Sequence, residues 1–321
     1  MAEKLLIVEN LKTYFFTRMG VAKAVDGVSL CLEKGESLGL IGESGCGKSV
    51  TCLSILRLVP QPAGRIVGGR ILLEGEDLLQ KSEREMRKIR GKKVAMIPQD
   101  PMTSLDPVFS IGSQLSEPIK IHQKLRGREL WNKAIELLRL VRIPIPEERL
   151  RSFPHQLSGG MRQRVAGAIA LSCQPRLIIA DEATTSLDVS IQTQYLAMLK
   201  EVQQQFEIGL IFVTHDFGIV QSMCDKVAVM YAGKIVEEAP LSQIFDAPHH
   251  PYTMALMKTV PKVEEKVERL ASIGGQPPLL YDLPPGCSFF PRCQVGEKEC
   301  QLSPPRVMVE DEHWVSCWRY S

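Results

Sequence analysis

The chain of 321 residues lacks several features that would assign it to a large class of proteins. Neither charge is in strong excess, because 39 Lys and Arg residues against 37 Asp and Glu residues leave a formal net charge of +2. This balance argues against a strongly basic nucleic-acid binder and against an acidic tail. No stretch approaches about 18 uninterrupted apolar residues, the length that suggests a membrane-spanning helix. We therefore expect any membrane association to come through a partner.

The start of the chain also lacks the pattern of a secretory signal peptide. Residues 1–16, MAEKLLIVENLKTYFF, alternate apolar and polar positions as a strand does, without an apolar core followed by a small-residue cleavage site. Without export, the nine cysteines are expected in a reducing compartment, where metal binding by thiolates is favoured over disulfide formation. Internal repeats and low-complexity segments are likewise missing from the sequence.

The apolar patterns that are present predict an α/β fold. The first forty residues alternate as antiparallel strands do, and short apolar strands then alternate with amphipathic helical segments. Such alternation predicts a mostly parallel sheet with both faces covered. From about residue 101 to 155 the spacing is helical, which predicts a helical subdomain. Beyond residue 240 the sequence predicts short helices, a Pro- and Gly-rich passage and a small cysteine-rich extension.

Residues 42–49, GESGCGKS, match the phosphate-loop pattern GxxxxGK[ST] in full. They lie between a predicted strand and a predicted helix, which is the context the pattern requires. In such a loop the backbone N–H groups point at phosphate oxygens, while Lys48 neutralises the phosphates and the Ser49 hydroxyl coordinates Mg²⁺. The alternative, a glycine-rich turn that binds nothing, is disfavoured by the flanking elements. The predicted nucleotide-binding residues are Gly42, Glu43, Ser44, Gly45, Cys46, Gly47, Lys48, Ser49 and Val50.

A second acidic motif ends an apolar strand at residues 177–182, LIIADE. At the carboxyl end of a parallel strand beside a phosphate loop, Asp181 is placed to hold Mg²⁺ through water. Glu182 is placed to polarise the attacking water, which phosphoryl transfer requires in line with the bond that breaks. A strand-end charge that merely meets solvent is the structural alternative, and the nearby phosphate loop makes it the weaker one.

Residues 157–163, LSGGMRQ, stand between these motifs and offer a second anion site, because Ser158, Gly159 and Gly160 open a predicted helix. With this signature the chain resembles the nucleotide-binding subunits of ABC transporters and is expected to have their P-loop ATPase core. The resemblance implies head-to-tail pairs of subunits that enclose two ATP molecules. Met161 replaces the residue most frequent at its position in the family.

The same resemblance assigns the remaining site residues. Gln99 matches the Q-loop that senses Mg²⁺, residues 186–188 with Asp188 match the D-loop, and His215 matches the switch histidine that contacts the γ-phosphate. The catalytic set is then Glu182, His215, Gln99 and Lys48, and the Mg²⁺ ligands are Ser49, Gln99 and Asp181. An aromatic residue near the N-terminus is expected to stack on adenine. The candidates are Phe15 first, then Tyr14 and Phe16, with core burial as the alternative for each; Ala183 stands where the family usually has Pro.

Two further stretches narrow the resemblance to the oligopeptide and dipeptide importers: residues 99–107, QDPMTSLDP, and residues 250–256, HPYTMAL. This branch implies an ATPase subunit that powers peptide uptake at the cytoplasmic face of the inner membrane. Its partners would be a second ATPase subunit, two permeases that dock on residues 101–155, and an extracytoplasmic peptide-binding protein. The alternatives are the ATPase of a nickel or metal-chelate importer, a soluble ABC ATPase, and a redox-sensing module. We expect an ATPase domain at residues 1–240 and an extension at 241–321.

The cysteines fall into two groups. Five are scattered and are interpreted as small buried hydrophobes, although N–H groups and Lys48 are expected to favour the thiolate of Cys46. The other four crowd the C-terminal tail with the spacing C-x5-C-x6-C-x16-C, which differs from the paired CxxC turns of a zinc ribbon. This spacing favours a [4Fe–4S] cluster over zinc, with free thiols or disulfides as the third possibility. The tail cysteines are Cys287, Cys293, Cys300 and Cys317, and we expect their site to lie far from the phosphates.

Overall fold

The computed structural model describes residues 3–99, 104–185, 187–259 and 273–321. Within these ranges the strands are β1 (Lys4–Thr17), β2 (Gly20–Glu33), β3 (Ser37–Ile41), β4 (Gly64–Leu73), β5 (Glu76–Asp77), β6 (Val94–Ile97), β7 (Leu177–Asp181), β8 (Gly209–Thr214), β9 (Lys226–Tyr231), β10 (Lys234–Pro240), β11 (Val307–Glu310) and β12 (His313–Val315).

The α-helices of the described ranges are α1 (Lys48–Ile55), α2 (Glu83–Ile89), α3 (Ile111–His122), α4 (Gly127–Leu140), α5 (Pro146–Arg149), α6 (Gly159–Leu171), α7 (Val189–Phe206), α8 (Phe217–Met223), α9 (Leu241–Asp246) and α10 (Pro251–Lys258). Short 3₁₀ turns, such as those at Phe290–Arg292 and Lys298–Gln301, supplement them in the tail. Among the described residues, no helix is long and apolar enough to cross a membrane.

The residues group into two compact units. The first unit comprises the described residues of 1–5, 33–36 and 80–213, and the second unit those of 6–32, 37–79 and 214–321. In the first unit, β6, β7 and β8 pair in parallel with β7 in the middle. All five residues of β7 are buried, as expected for a parallel strand covered on both faces. Helices α3, α4 and α5 occupy the region for which helical spacing predicts a helical subdomain.

Two sheets build the second unit. One has the strand order β2-β1-β4-β5, with β1 and β4 antiparallel as the alternating N-terminal pattern predicts. In the other, β3 runs parallel to β9, β9 pairs antiparallel with β10, and β12 and β11 continue the sheet outward from β10. The predicted fold class, a P-loop α/β core with an antiparallel β subdomain and a helical subdomain, is confirmed.

The C-terminal extension has more regular structure than its Pro-rich sequence indicates. Its strands β11 and β12 belong to the sheet of the second unit, with Val315 opposite Glu237 of β10. Phe289, Val315 and Cys317 are buried, so the extension contributes side chains to a core. Short strands of the extension therefore complete a sheet that begins before residue 241.

Candidate functional site

The phosphate loop connects β3 to α1 and depends on glycine at two positions. Gly42 and Gly47 have φ angles of 152° and 111°, in the region where only glycine is unstrained. A Cβ atom on Gly42 would lie 2.1 Å from the carbonyl oxygen of Met230, and one on Gly47 would lie 2.1 Å from that of Ala24. The backbones of two other strands therefore lie in direct contact with the loop. Any side chain at either glycine position would force the loop to move.

Lys48, the first residue of α1, is buried against this loop. Its Nζ donates to the carbonyl oxygens of Gly42 at 2.7 Å and Glu43 at 3.0 Å. The ammonium thus lies at the concave side of the loop, where the sequence pattern places it. Ser49 and Val50 follow on the helix and are half-buried. The Lys48 charge and the N-terminus of α1 together give this turn a positive potential suited to phosphate.

Cys46 differs from the sequence-based expectation. Its side chain is buried within the loop, and this burial raises the pKa of the thiol. Lys48 and nearby N–H groups act in the opposite direction, but desolvation is the larger effect. The prediction of a favoured thiolate at Cys46 was therefore wrong, because the motif shows the neighbouring charge and not the depth of burial.

In the first unit, β7 delivers Asp181 and Glu182 to its carboxyl end. Asp181 is buried as the last strand residue, whereas Glu182 is half-buried and has a φ of 45°, unusual for a residue with a side chain. The Gln99 amide donates to a carboxylate oxygen of Glu182 at 2.6 Å. The structure thus brings together the Q-loop glutamine and the predicted catalytic carboxylate. Backbone strain of this kind is common where a side chain is held for function.

The signature motif opens α6. Ser158 is the N-cap, and its hydroxyl accepts a hydrogen bond from the Met161 N–H. Ser158 and Gly159 are exposed, and a Cβ on Gly159 would meet nothing within 4 Å. Gly160 is buried, and a Cβ there would lie 2.7 Å from Ile191. One face of this helix end is therefore packed while the other is open to an approaching ligand.

The remaining predicted residues lie at the ends of regular elements. Asp188 is exposed and precedes α7 without a capping hydrogen bond from its side chain. Ser186, the first D-loop residue, lies outside the described residues, as do residues 100–103 of the stretch after Gln99. His215 is exposed directly after β8.

The aromatic candidates at the end of β1 have different surroundings. Tyr14 donates its hydroxyl hydrogen bond to Asp26 at 2.7 Å, which ties the ring to β2. Phe15 is half-buried and pairs with Gly64 of β4, whose missing side chain leaves room for the ring edge. Phe16 is 46% exposed and lies under the guanidinium of Arg65.

The four tail cysteines all line one cavity. Its internal volume is about 20 Å³, and Phe289, Phe290 and Trp318 form apolar walls. Burial raises the pKa of three of the thiols. Electrostatic repulsion from neighbouring cysteines raises each pKa further, so the sulfurs are close enough to interact. These three are Cys287, Cys293 and Cys317. Within the described ranges no three Cys, His, Asp or Glu side chains are close enough to hold a single metal ion.

The extension also touches the phosphate loop, which the sequence did not indicate. Arg292, directly before Cys293, forms an ion pair with Glu43 in the loop at 2.7 Å. The Tyr252 hydroxyl of α10 accepts a hydrogen bond from the Glu43 N–H at 2.9 Å. The expectation that the cysteine site lies far from the phosphate loop was therefore wrong. No local pattern marks Arg292 or Tyr252, since both act across more than half of the chain.

Comparison with known proteins agrees with this geometry. The ABC transporter family profile matches residues 25–185, and the profile of the oligopeptide/dipeptide transporter C-terminal region matches residues 236–300. The chain belongs to the ABC transporter ATP-binding family. It is an ATPase of this type, and its C-terminal region is the one found in the oligopeptide/dipeptide branch.

Individual relatives extend over almost the whole chain. A probable peptide ABC transporter ATP-binding protein from Sinorhizobium fredii is 47% identical over 99% of this chain and 96% of its own length. The dipeptide transport ATP-binding protein DppD of Bacillus subtilis is 46% identical over 98% of this chain and 95% of its own. Among solved structures, a dimeric ATP-binding cassette with ADP and Pi superposes with a TM-score of 0.67 at 25% identity, covering 74% of this chain and 98% of its own.

Proposed function

We propose that this protein is the ATP-hydrolysing subunit that powers uptake of dipeptides or oligopeptides through an ABC importer. The observation that carries the proposal is the extent of the match with peptide-transport ATP-binding proteins. It runs from the phosphate loop through the C-terminal extension, at 46% identity or more over nearly the full chain in two relatives. The second candidate is uptake of nickel or another metal chelate by an importer of the same branch.

In the proposed site, the phosphate loop and the N-terminus of α1 bind the ATP phosphates, and Lys48 neutralises them. Ser49, Asp181 and Gln99 would hold Mg²⁺, which neutralises charge that develops on the phosphates during transfer. These residues supply hydroxyl, carboxylate and amide oxygens, the donors that Mg²⁺ prefers. His215 contacts the γ-phosphate, and Phe15 stacks on adenine.

Glu182 is the proposed group that polarises the attacking water. Its carboxylate is fixed by the Gln99 amide, and its backbone N–H donates to the Val213 carbonyl at 2.9 Å. With one hydrogen bond on its carboxylate and one on its backbone, Glu182 loses little conformational freedom when it accepts a further hydrogen bond from water.

We further propose that two ATPase subunits, identical or paralogous, act as a pair. The signature residues Ser158, Gly159 and Gly160 of one subunit would face the phosphate loop of the other, with Asp188 near the same interface. The exposed N-terminal end of α6 is consistent with such an approach. Residues 1–240 form the proposed ATPase domain and 241–321 the extension. The helical region 101–155 would receive two permeases, fed by an extracytoplasmic peptide-binding protein, with the subunit peripheral at the cytoplasmic face of the membrane.

The test of the hydrolytic assignment is Glu182→Gln in the complete transporter. ATP binding should persist while turnover falls by about 10²–10⁴-fold, as for other general bases. Peptide-stimulated ATPase activity and peptide uptake into proteoliposomes should fall in parallel. Glu201→Gln, an exposed carboxylate on α7, is the matched control and should leave both unchanged. Near-normal turnover of the Glu182→Gln transporter would refute the role of Glu182, and stimulation by nickel complexes instead of peptides would favour the second candidate substrate.

For the cysteine cavity we propose a [4Fe–4S] cluster held by Cys287, Cys293, Cys300 and Cys317. The four thiols line one cavity and supply the four thiolate ligands that such a cluster takes. Their loose spacing along the sequence, which differs from the paired CxxC turns of a zinc ribbon, supports the cluster over zinc. Because none of the four cysteines belongs to the proposed nucleotide site, the proposed role of the cluster is structural or regulatory.

Anaerobic purification tests the cluster. The protein should be brown, with iron and acid-labile sulfide in near-equal amounts, and changing any one of the four cysteines to Ser should remove the colour. Cys173→Ser is the matched control, because Cys173 is half-buried in the first unit and contacts Ser172. A colourless protein with one zinc ion would overturn the cluster in favour of zinc, and four titratable thiols without metal would overturn both.

A further inference from the structure

Arg292 reaches out of the cysteine-rich extension and binds Glu43 of the phosphate loop through both of its terminal nitrogens. Nη1 donates to one carboxylate oxygen at 2.7 Å and Nη2 to the other at 3.0 Å. Only 4% of the Arg292 side chain and 24% of the Glu43 side chain are exposed. A two-point, largely desolvated pair of this kind is among the strongest polar contacts in proteins and fixes orientation as well as distance.

Arg292 is itself held in place by its surroundings. Its Nε donates to the carbonyl oxygen of Gly274 at 2.9 Å, and Nη1 also donates to the Tyr231 hydroxyl at 3.2 Å. The guanidinium lies 5.8 Å from the ring centre of Tyr231 and 5.9 Å from that of Phe289. The arginine is therefore a fixed element of the extension, and Glu43 is held at a defined position.

Besides the contact of its carboxylate with Arg292, Glu43 makes two hydrogen bonds through its backbone, one to the extension and one to the loop lysine. Its N–H donates to the hydroxyl of Tyr252, a side chain fully buried against Tyr231. Its carbonyl oxygen accepts from Lys48 Nζ at 3.0 Å. The conformation of Glu43 thus fixes the direction of its own N–H and, together with the Gly42 carbonyl, the position of the Lys48 ammonium.

We propose that Arg292 is a positioning residue for ATP binding, which acts through Glu43 to hold the phosphate loop in its binding geometry. The extension is then part of the nucleotide site's support. This inference rests on the ATPase assignment alone and is independent of the transported substrate and of the metal in the cysteine cavity. Because the arginine acts on the ground-state shape of the loop, its loss should weaken ATP binding more than it slows the chemical step.

The experiment measures KM for Mg·ATP and kcat in the full-length chain assembled with its permeases. Arg292→Ala should raise KM by about 5- to 20-fold, within the usual range of coupling between sites, and change kcat by less than about twofold. Arg292→Lys keeps one charge and loses the two-point geometry, so it should recover part of the affinity. Iron and sulfide are measured in each variant, because Arg292 adjoins Cys293.

A double-mutant cycle separates positioning from general stability. Glu43→Gln keeps the volume of the side chain and removes the charge, so it should raise KM to a similar extent, and adding Arg292→Ala should then have little further effect. Arg306→Ala is the matched control, since Arg306 is another arginine of the extension and pairs with Glu238 at 2.6 Å, away from the loop. It should leave KM unchanged.

Three results would overturn the proposal. The first is an unchanged KM in Arg292→Ala, and the second is an equal loss of affinity when Arg292→Ala is added to Glu43→Gln. The third is a rise in KM of the same size in Arg306→Ala, which would show that any disturbance of the extension acts on the loop. If Arg292→Ala does not fold, Arg292→Lys and Glu43→Gln alone decide, because an unchanged KM in both would refute the positioning role.

Discussion

The phosphate loop and the cysteine cavity are two sites of the same compact unit, built in opposite ways. The loop is a backbone structure, shaped by Gly42 and Gly47 against the carbonyl oxygens of neighbouring strands. The cavity is a side-chain structure, in which Cys300 from a 3₁₀ turn and three thiols from the neighbouring loops converge around apolar walls. A backbone site tolerates little change in local geometry, whereas a side-chain site depends on the particular groups that line it. Glu43 and Arg292 are the point at which the two meet.

The largest expected effect is at the backbone site. Gly47→Ala places a Cβ 2.1 Å from the Ala24 carbonyl oxygen at a φ of 111°. The loop must move to accommodate it, so the affinity for Mg·ATP should fall by at least about 100-fold, equivalent to about 2.7 kcal/mol. Isothermal titration of the purified chain measures this loss.

Gly45→Ala is the graded control within the same loop. Gly45 also has a positive φ, 79°, but a Cβ there would meet no atom within 4 Å. Only the conformational strain of about 1–2 kcal/mol remains, so affinity should fall by about 5- to 30-fold. Equal losses in the two variants would show that contact with the strand backbone does not shape the loop.

Glu237 of β10 lies outside the lining of the cysteine cavity but holds His250, which is part of that lining. It is almost fully buried and accepts hydrogen bonds from His313 at 2.8 Å and from the N–H groups of His249 at 2.6 Å and His250 at 3.0 Å. Glu237→Ala leaves three buried donors without their acceptor and should cost about 3–5 kcal/mol of stability.

Thermal unfolding followed together with ATP affinity tests this expectation. The melting temperature of Glu237→Ala should fall by several degrees, while the residual folded protein should bind Mg·ATP within about threefold of the wild type. Glu299→Ala, exposed in a 3₁₀ turn beside the cavity, should change neither quantity. A loss of ATP affinity much greater than threefold in Glu237→Ala would show that the two sites do not differ in this way.

The smallest expected effect concerns the reactivity of Cys46. Because burial raises the pKa of this thiol, its thiolate fraction at pH 7.5 is below that of a free cysteine, and alkylation should be about 10-fold slower or more. The rate should continue to rise as pH increases beyond the ordinary thiol pKa, since the folded-state value lies above it. Peptide mapping after timed iodoacetamide labelling measures the rate, with Cys46→Ser as the blank. Rapid labelling that levels off below the ordinary value would show that the Lys48 charge outweighs burial.

Sequence patterns predicted the local structure around the phosphate loop, a strand before it and a helix after it, because its determinants are local. The loop pattern, the apolar strand before it and the helix after it occupy adjacent positions, and the strand ending in Asp181 and Glu182 is equally compact. The same reasoning failed for the pKa of Cys46. The eight-residue motif includes the charged Lys48, but it does not include the surrounding strands that exclude water from the thiol.

The side-chain site could be predicted only in part. Four cysteines close together in the sequence predicted a common site, and they do line one cavity. The contact between Arg292 and Glu43 joins residues 249 positions apart, and nothing in either local sequence marks the other. Strands β11 and β12 have four and three residues, too short for a periodic pattern to stand out from a Pro-rich tail.

The pairing of β12 with β10 has a consequence for how this chain can be divided. A protein ending near residue 240 would present β10 with an unprotected edge and with Glu237 and Glu238 stripped of His313 and Arg306. Open strand edges recruit further strands, and buried carboxylates without partners oppose folding. The shortened chain should therefore aggregate more readily than the full-length chain. If extensions were exchanged by recombination among ATPases of this type, the exchanged segment would have to include β10 to keep its pairing with β12. The boundary of such a segment would therefore lie within the sheet.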